Sequence, residues 1–149
     1  MMGCGYIARA NSTGRTDSSF TTHTHPNCSK KPKTPLVLCI DDNEMILDVL
    51  QEILTARGLR TLCAADCFSG IHLAKSEPVD LIVLDYEMPQ MDGLHLAREL
   101  RNCRPGVPLI MFSGGLPSGE VAETVSKIIR KGDGVFSLAD AIHEVLGER

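Results

Sequence analysis

From Leu36 onward, short aliphatic runs alternate with segments whose apolar residues recur at helical spacing, and this alternation restricts the possible folds more than any other feature. The runs Leu36 to Asp41, Leu59 to Ala64, Val79 to Asp85, Val107 to Ser113 and Lys127 to Lys131 read as strands. Between them, Ile46, Val49, Leu50, Ile53 and Leu54 form one apolar stripe, Phe68, Ile71 and Ala74 a second, and Leu94, Ala97 and Leu100 a third. Leu138, Ala141, Ile142, Val145 and Leu146 form the last, opening on the capping-box pattern Ser137-x-x-Asp140. Ser118 to Ser126 is the weakest helical segment. Alternating β and α units predict an α/β fold with a parallel sheet covered by helices on both faces, because a parallel crossover needs a helix and takes one hand.

Residues 1 to 35 stand apart. They are rich in Ser, Thr, Pro and Gly, lack periodicity and end in Lys30-Lys31-Pro32-Lys33-Thr34-Pro35, so they read as a disordered N-terminal tail before a single domain at 36–149. The tail holds five Lys/Arg and one acid, leaving ten basic against eighteen acidic residues for the domain. An acidic body argues against nucleic-acid binding. Six cysteines form no CxxC pair, so reduced thiols are expected, and Cys63 and Cys67 read as packing residues. With no signal-like start and no apolar run long enough to span a bilayer, a cytoplasmic protein without membrane contact is expected.

In an open parallel sheet, sites lie beyond the carboxyl ends of the strands. There the chain places Asp41 and Asp42 after strand one, Asp85 after strand three, Ser113 after strand four and Lys131 after strand five. An Asp pair alone is more often a helix cap, with Asn43 an equal candidate for that role. Combined with Asp85 and Lys131, however, it suggests a site. Clustered carboxylates repel unless a cation neutralises them, and oxygen ligands favour a hard ion such as Mg²⁺. A metal held by Asp42 and Asp85 leaves room for a phosphoryl group, which a carboxylate can accept covalently while Lys131 and the Ser113 hydroxyl bind its oxygens.

These residues carry a resemblance. "VLCIDDNE" from Val37 to Glu44, "LIVLDYEMPQMDGL" from Leu81 to Leu94, "LIMFSG" from Leu109 to Gly114 and "IIRKG" from Ile128 to Gly132 resemble the response-regulator receiver domains of two-component signalling. The resemblance implies a (βα)5 flavodoxin-like three-layer sandwich with strand order 2-1-3-4-5. It implies Asp85 as phosphoacceptor, Asp42 as a Mg²⁺ ligand, Asp41 in support of the metal, and a backbone carbonyl ligand from Glu87. Ser113 becomes the switch hydroxyl, Lys131 the phosphate-pairing lysine, and Ile128 occupies the place of the aromatic switch residue. The implied donor is a sensor histidine kinase or a histidine phosphotransfer protein, and the implied output is binding to a downstream protein target. With the last helix closing near Arg149, a stand-alone receiver is expected, a signalling domain rather than an enzyme, although it assists its own phosphotransfer and dephosphorylation. Four features depart from the family pattern: Gly132 where proline is usual, a short fourth helix, Ile128 in place of an aromatic, and the acidic side chain of Glu87 two residues beyond the acceptor.

Other readings are weaker. Gly3 to Ala8 spells GxGxxA without a preceding strand, Gly114 to Gly119 has P-loop spacing but Glu120 in place of lysine, and His23, His25 and Cys28 could grip a metal. An aspartyl phosphatase would need a DxDx[TV] strand end, which Asp41-Asp42-Asn43 does not supply. A pseudo-receiver that binds partners with little or no phosphorylation is the main alternative.

Overall fold

The computed structural model describes residues 33–147. The expected tail, the GxGxxA stretch and the His23, His25 and Cys28 group lie outside the described residues, except for the last residues of the tail. There Thr34 and Pro35 are already fastened, their carbonyls accepting from Arg60 Nε and Arg60 N at 3.2 and 3.0 Å.

Five parallel strands form one sheet in the order β2-β1-β3-β4-β5, with β1 at Leu36–Ile40, β2 at Arg60–Ala64, β3 at Leu81–Asp85, β4 at Leu109–Ser113 and β5 at Lys127–Arg130. Every residue of β1, β3 and β4 is buried, as expected for strands covered on both faces. Leu38, Ile40, Ile82, Leu84 and Met111 point to one side. They meet α2 (Cys67–Ser76), α3 (Gly93–Cys103) and Val121 of α4 (Gly119–Thr124). Val37, Cys39, Leu81, Val83, Ile110 and Phe112 point to the other and pack on α1 (Glu44–Ala56) and α5 (Gly134–Gly147). This is the three-layer flavodoxin-like fold predicted above.

Local signals explain most boundaries. Asn43 caps α1, its side chain accepting from Met45 N, and Glu44 lies in the first turn, where a negative charge favours the helix dipole. Asp66 caps α2 through Ser69 N. Gly70 lies so close to β1 that a Cβ would stand 2.6 Å from Ile40 Cδ1, so the helix rests directly on the strand.

Several details differ from the sequence expectation. Val49 and Phe68 are 42% and 65% exposed, because α1 and α2 turn Leu47, Leu50, Leu54 and Cys67, Gly70, Ala74 to the sheet instead. The last helix begins at Gly134, so Ser137 is not a cap; its hydroxyl lies inside the first turn and donates to Asp133 O at 2.8 Å. Strand five stops at Arg130, and Lys131 opens a 3-10 turn (Lys131–Asp133). The weakest helical segment contracts to six residues at α4. Cys39, Cys63, Cys67 and Cys103 are free. Burial pushes the first three thiols above their usual range, which favours the protonated form. Among the described residues no helix is long and apolar enough to cross a membrane.

Candidate functional site: an acidic pocket at the carboxyl edge of the sheet

The sheet order brings β1 and β3 side by side, so the carboxylates that follow them share one edge. One oxygen each from Asp41, Asp42 and Asp85 lies within 4.8 Å of the others. Asp41 and Asp85 are buried, whereas Asp42 is exposed. Backbone donors fix the two buried groups: Asn43 N reaches Asp41 Oδ1 at 2.9 Å, and Glu87 N reaches Asp85 Oδ1 at 3.1 Å. Both are i to i+2 contacts, in which an aspartate closes a turn on its own backbone. The remaining oxygens turn to Lys131, whose Nζ lies 3.1 Å from Asp41 Oδ2 and 3.2 Å from Asp85 Oδ2.

The electrostatics follow from this crowding. Burial raises the Asp41 pKa; the Asn43 amide opposes the rise, the Asp85 charge adds to it and Lys131 offsets part of it. For Lys131, burial works against the ammonium group. Its hydrogen bonds and ion pairs with Asp41 and Asp85 outweigh that penalty and hold it above the ordinary lysine range. Lys131 therefore stays charged at neutral pH. Three carboxylates still exceed one ammonium, and oxygen-only donors at this spacing fit a hard divalent cation.

Ser113 sits at the end of β4, one strand beyond Asp85, and is fully buried. Its Oγ accepts from Gly115 N at 3.2 Å, which ties the hydroxyl to the loop leading into α4. Glu87 is exposed and leans over that loop: a Cβ added to Gly114 would stand 3.4 Å from Glu87 Oε2. Ile128 is partly buried on the side of the sheet that carries α3 and α4. Every candidate of the phosphoryl site thus lies on β1, β3, β4 or β5 or in the segment just after it; Lys131 touches Asp41 and Asp85, and an Asp42 oxygen lies within 4.8 Å of theirs. Gly132 does not prevent this. Among the described residues no peptide bond is cis, and Lys131 reaches both buried carboxylates from the 3-10 turn.

The segment after Asp85 is held tightly. Gly93, which begins α3, packs so close to Tyr86 that a Cβ would stand 2.8 Å from Tyr86 O and 2.9 Å from Tyr86 Cα. Only glycine permits this approach without backbone movement, which explains the Asp92-Gly93 pair better than turn propensity does. Two features escaped the sequence reading. Phe112, the residue before Ser113, places its ring beneath Lys131, with Nζ 5.8 Å from the centroid. Arg101 of α3 crosses to α4, where its Nη2 donates to Thr124 O at 2.8 Å. Neither has a sequence signature, because each depends on a neighbour distant in the chain.

A parallel five-stranded domain with an acidic pocket, a hydroxyl and a lysine at its carboxyl edge defines a class, and comparison with known proteins identifies it. The profile of the response regulator receiver domain matches residues 37–131, and the chain belongs to this family. A receiver domain protein from Methanospirillum hungatei, described as CheY-like, superposes with a TM-score of 0.72 at 27% identity, over 77% of this chain and 95% of that one. The response regulator TrrA of Thermotoga maritima, solved with Mg²⁺ and BeF, superposes with a TM-score of 0.69 at 23% identity over 74% of this chain and 98% of that one. Among curated proteins, protein-glutamate methylesterase/protein-glutamine glutaminase 2 of Pseudomonas aeruginosa is 41% identical over 88 residues, 58% of this chain and 25% of that protein. The autoinducer 1 sensor kinase/phosphatase LuxN of Vibrio campbellii is 32% identical over 95 residues, 64% of this chain and 11% of that protein. The chain thus spans a minor part of the length of these curated relatives.

Proposed function

We propose that residues 36–149 act as a phosphoacceptor receiver in which Asp85 takes a phosphoryl group from a phosphohistidine on a sensor kinase or phosphotransfer protein. The observation that carries this reading is the convergence of Asp41, Asp42 and Asp85 on one another, with Lys131 bridging the two buried members. Asp85 Oδ attacks phosphorus, the P–N bond to the donor imidazole breaks, and the departing nitrogen keeps the electron pair. The amide of Glu87 holds the acceptor carboxylate in place throughout. Lys131 binds a phosphoryl oxygen as charge spreads, and Ser113 donates its hydroxyl to another. Asp42, Asp85 and the Glu87 backbone carbonyl would hold Mg²⁺ with support from Asp41; when bound, the ion supplies positive charge against the phosphoryl oxygens.

The signal would leave through Ser113. Its hydroxyl now accepts from Gly115 N, and turning to a phosphoryl oxygen gives up that contact and loosens the loop before α4. Ile128, partly buried beside α4, has no phenol to reposition, so the accompanying rearrangement is small. A downstream protein would read the altered surface. Incubation with phosphoramidate and Mg²⁺ is expected to label the wild type, and Asp85→Asn to abolish labelling. A wild type that takes no label yet binds its partner regardless of phosphodonor would establish the pseudo-receiver instead, a reading that the six-residue α4 and Ile128 favour.

A further inference from the structure

We propose that Phe112 is a positioning residue for Lys131, keeping the ammonium group at the pocket through the negative face of its ring; this rests on the reading of Lys131 as the phosphoryl-binding cation. An ammonium has three N–H donors, and Asp41 Oδ2 and Asp85 Oδ2 account for two directions. The Phe112 ring lies under the same nitrogen, 5.8 Å from its centroid, within the range in which a cation is drawn to a π-face.

The ring is the fixed partner in this contact. Phe112 is 3% exposed in β4, paired with Asp85 on one side and Ile129 on the other. Lys131, by contrast, stands just beyond the end of β5, on a four-carbon stem, before a glycine whose absent Cβ would have no neighbour within 4 Å. The backbone after Lys131 is held by the 3-10 turn, in which Gly134 N donates to Lys131 O, and this leaves the long side chain itself to be positioned by its partners. When Asp85 forms its bond to phosphorus, the reacting oxygen loses its negative charge and Lys131 exchanges a carboxylate contact for a phosphoryl oxygen. The ring does not change in that step. Together with Asp41, it limits the excursion of the ammonium while its other partner is being replaced.

Replacing Phe112 with mono-, di- and trifluorinated phenylalanines drains charge from the ring face with little change in shape. The limiting rate of Mg²⁺-dependent labelling by phosphoramidate is expected to fall stepwise along the series. Phe112→Leu is expected to be about three- to tenfold slower, with little change in the half-saturating donor concentration. In the NMR spectrum the ε-methylene resonances of Lys131 are expected upfield in the wild type, under the ring current, and at ordinary positions in Phe112→Leu. A flat fluorination series in normally labelled, normally melting protein overturns the role of Phe112, as does the absence of the ring-current shift. A wild type with the shift but without labelling overturns the phosphoacceptor reading, and the proposal falls with it for that separate reason.

Discussion

The two halves of the domain are built to different tolerances. From β1 to α3 the strands are of equal length, the helices run to 13, 10 and 11 residues, and α1 and α2 carry side-chain caps. Between the fully buried β4 and the 14-residue α5, α4 has six residues and no side-chain cap bond, β5 has four residues of which none is fully buried, and a 3-10 turn replaces a regular loop. The first half supplies the three carboxylates. The second supplies the hydroxyl and the ammonium, which come from the ends of β4 and β5. The carboxylates thus stand at the ends of regular, fully buried strands, whereas Lys131 is carried by a four-residue strand and a 3-10 turn, and the loop that Ser113 holds leads into a six-residue helix. Segments with fewer packing constraints are where local opening costs least.

The contrast can be broken most severely in the core of the first half. Leu38→Ala, at a fully buried position on the interior strand β1, is expected to cost about 2–5 kcal/mol in denaturant unfolding, whereas Ile128→Ala on the partly buried β5 is expected to cost about 1–2 kcal/mol. Comparable losses would remove the distinction. Mg²⁺ at a hundredfold excess over its Kd is expected to stabilise the wild type by about 2.7 kcal/mol. Asp42→Asn is expected to lose that increment while melting like the wild type in chelator, because its exposed side chain contributes to the ion rather than to the core. Arg101→Met is expected to cost about 1–2 kcal/mol, since its guanidinium also donates to Pro105 O and Val107 O. Amide exchange in α4 is expected to accelerate while β1 and β3 keep their protection.

The smallest effect concerns pH. Asp41 holds its proton more tightly in the folded chain than in the unfolded one, so the native state binds more protons across the window just above the ordinary carboxylate range. Stability in chelator is therefore expected to fall as pH rises through that window. Saturating Mg²⁺ is expected to flatten the decline, and thermal melts with and without the ion check it. Lys131 has the same sign at the alkaline end: its contribution is complete below about 10.5 and is lost as pH rises through its higher folded pKa.

Much of this was legible because the signals are local. Apolar runs announce strands, Asn43 announces a cap, and an acid or lysine at a strand end needs only the sheet order to be placed. The readings that missed were those in which several faces of a helix compete. Phe68 looks like a core residue by spacing, yet in α2 the smaller Cys67, Gly70 and Ala74 face the strand, because Ile40 leaves no room for more. Ser137 matched a capping pattern, but Gly134, at φ 84°, allows the chain to turn into the helix three residues earlier. Arg101 and Phe112 were invisible for another reason. Each acts on a group 23 or 19 residues away in the chain, and only the packed fold reveals it.

The Arg101 bridge also makes one helix depend on another. Six residues are too few to nucleate a stable helix alone, and the carbonyl of Thr124 at the end of α4 is closed by a side chain from α3. Helix α4 therefore depends on α3, whose Arg101 supplies the donor that closes the carbonyl of Thr124. A circular permutant opened between α3 and β4 separates this donor from its acceptor in the chain and is expected to refold more slowly in this region.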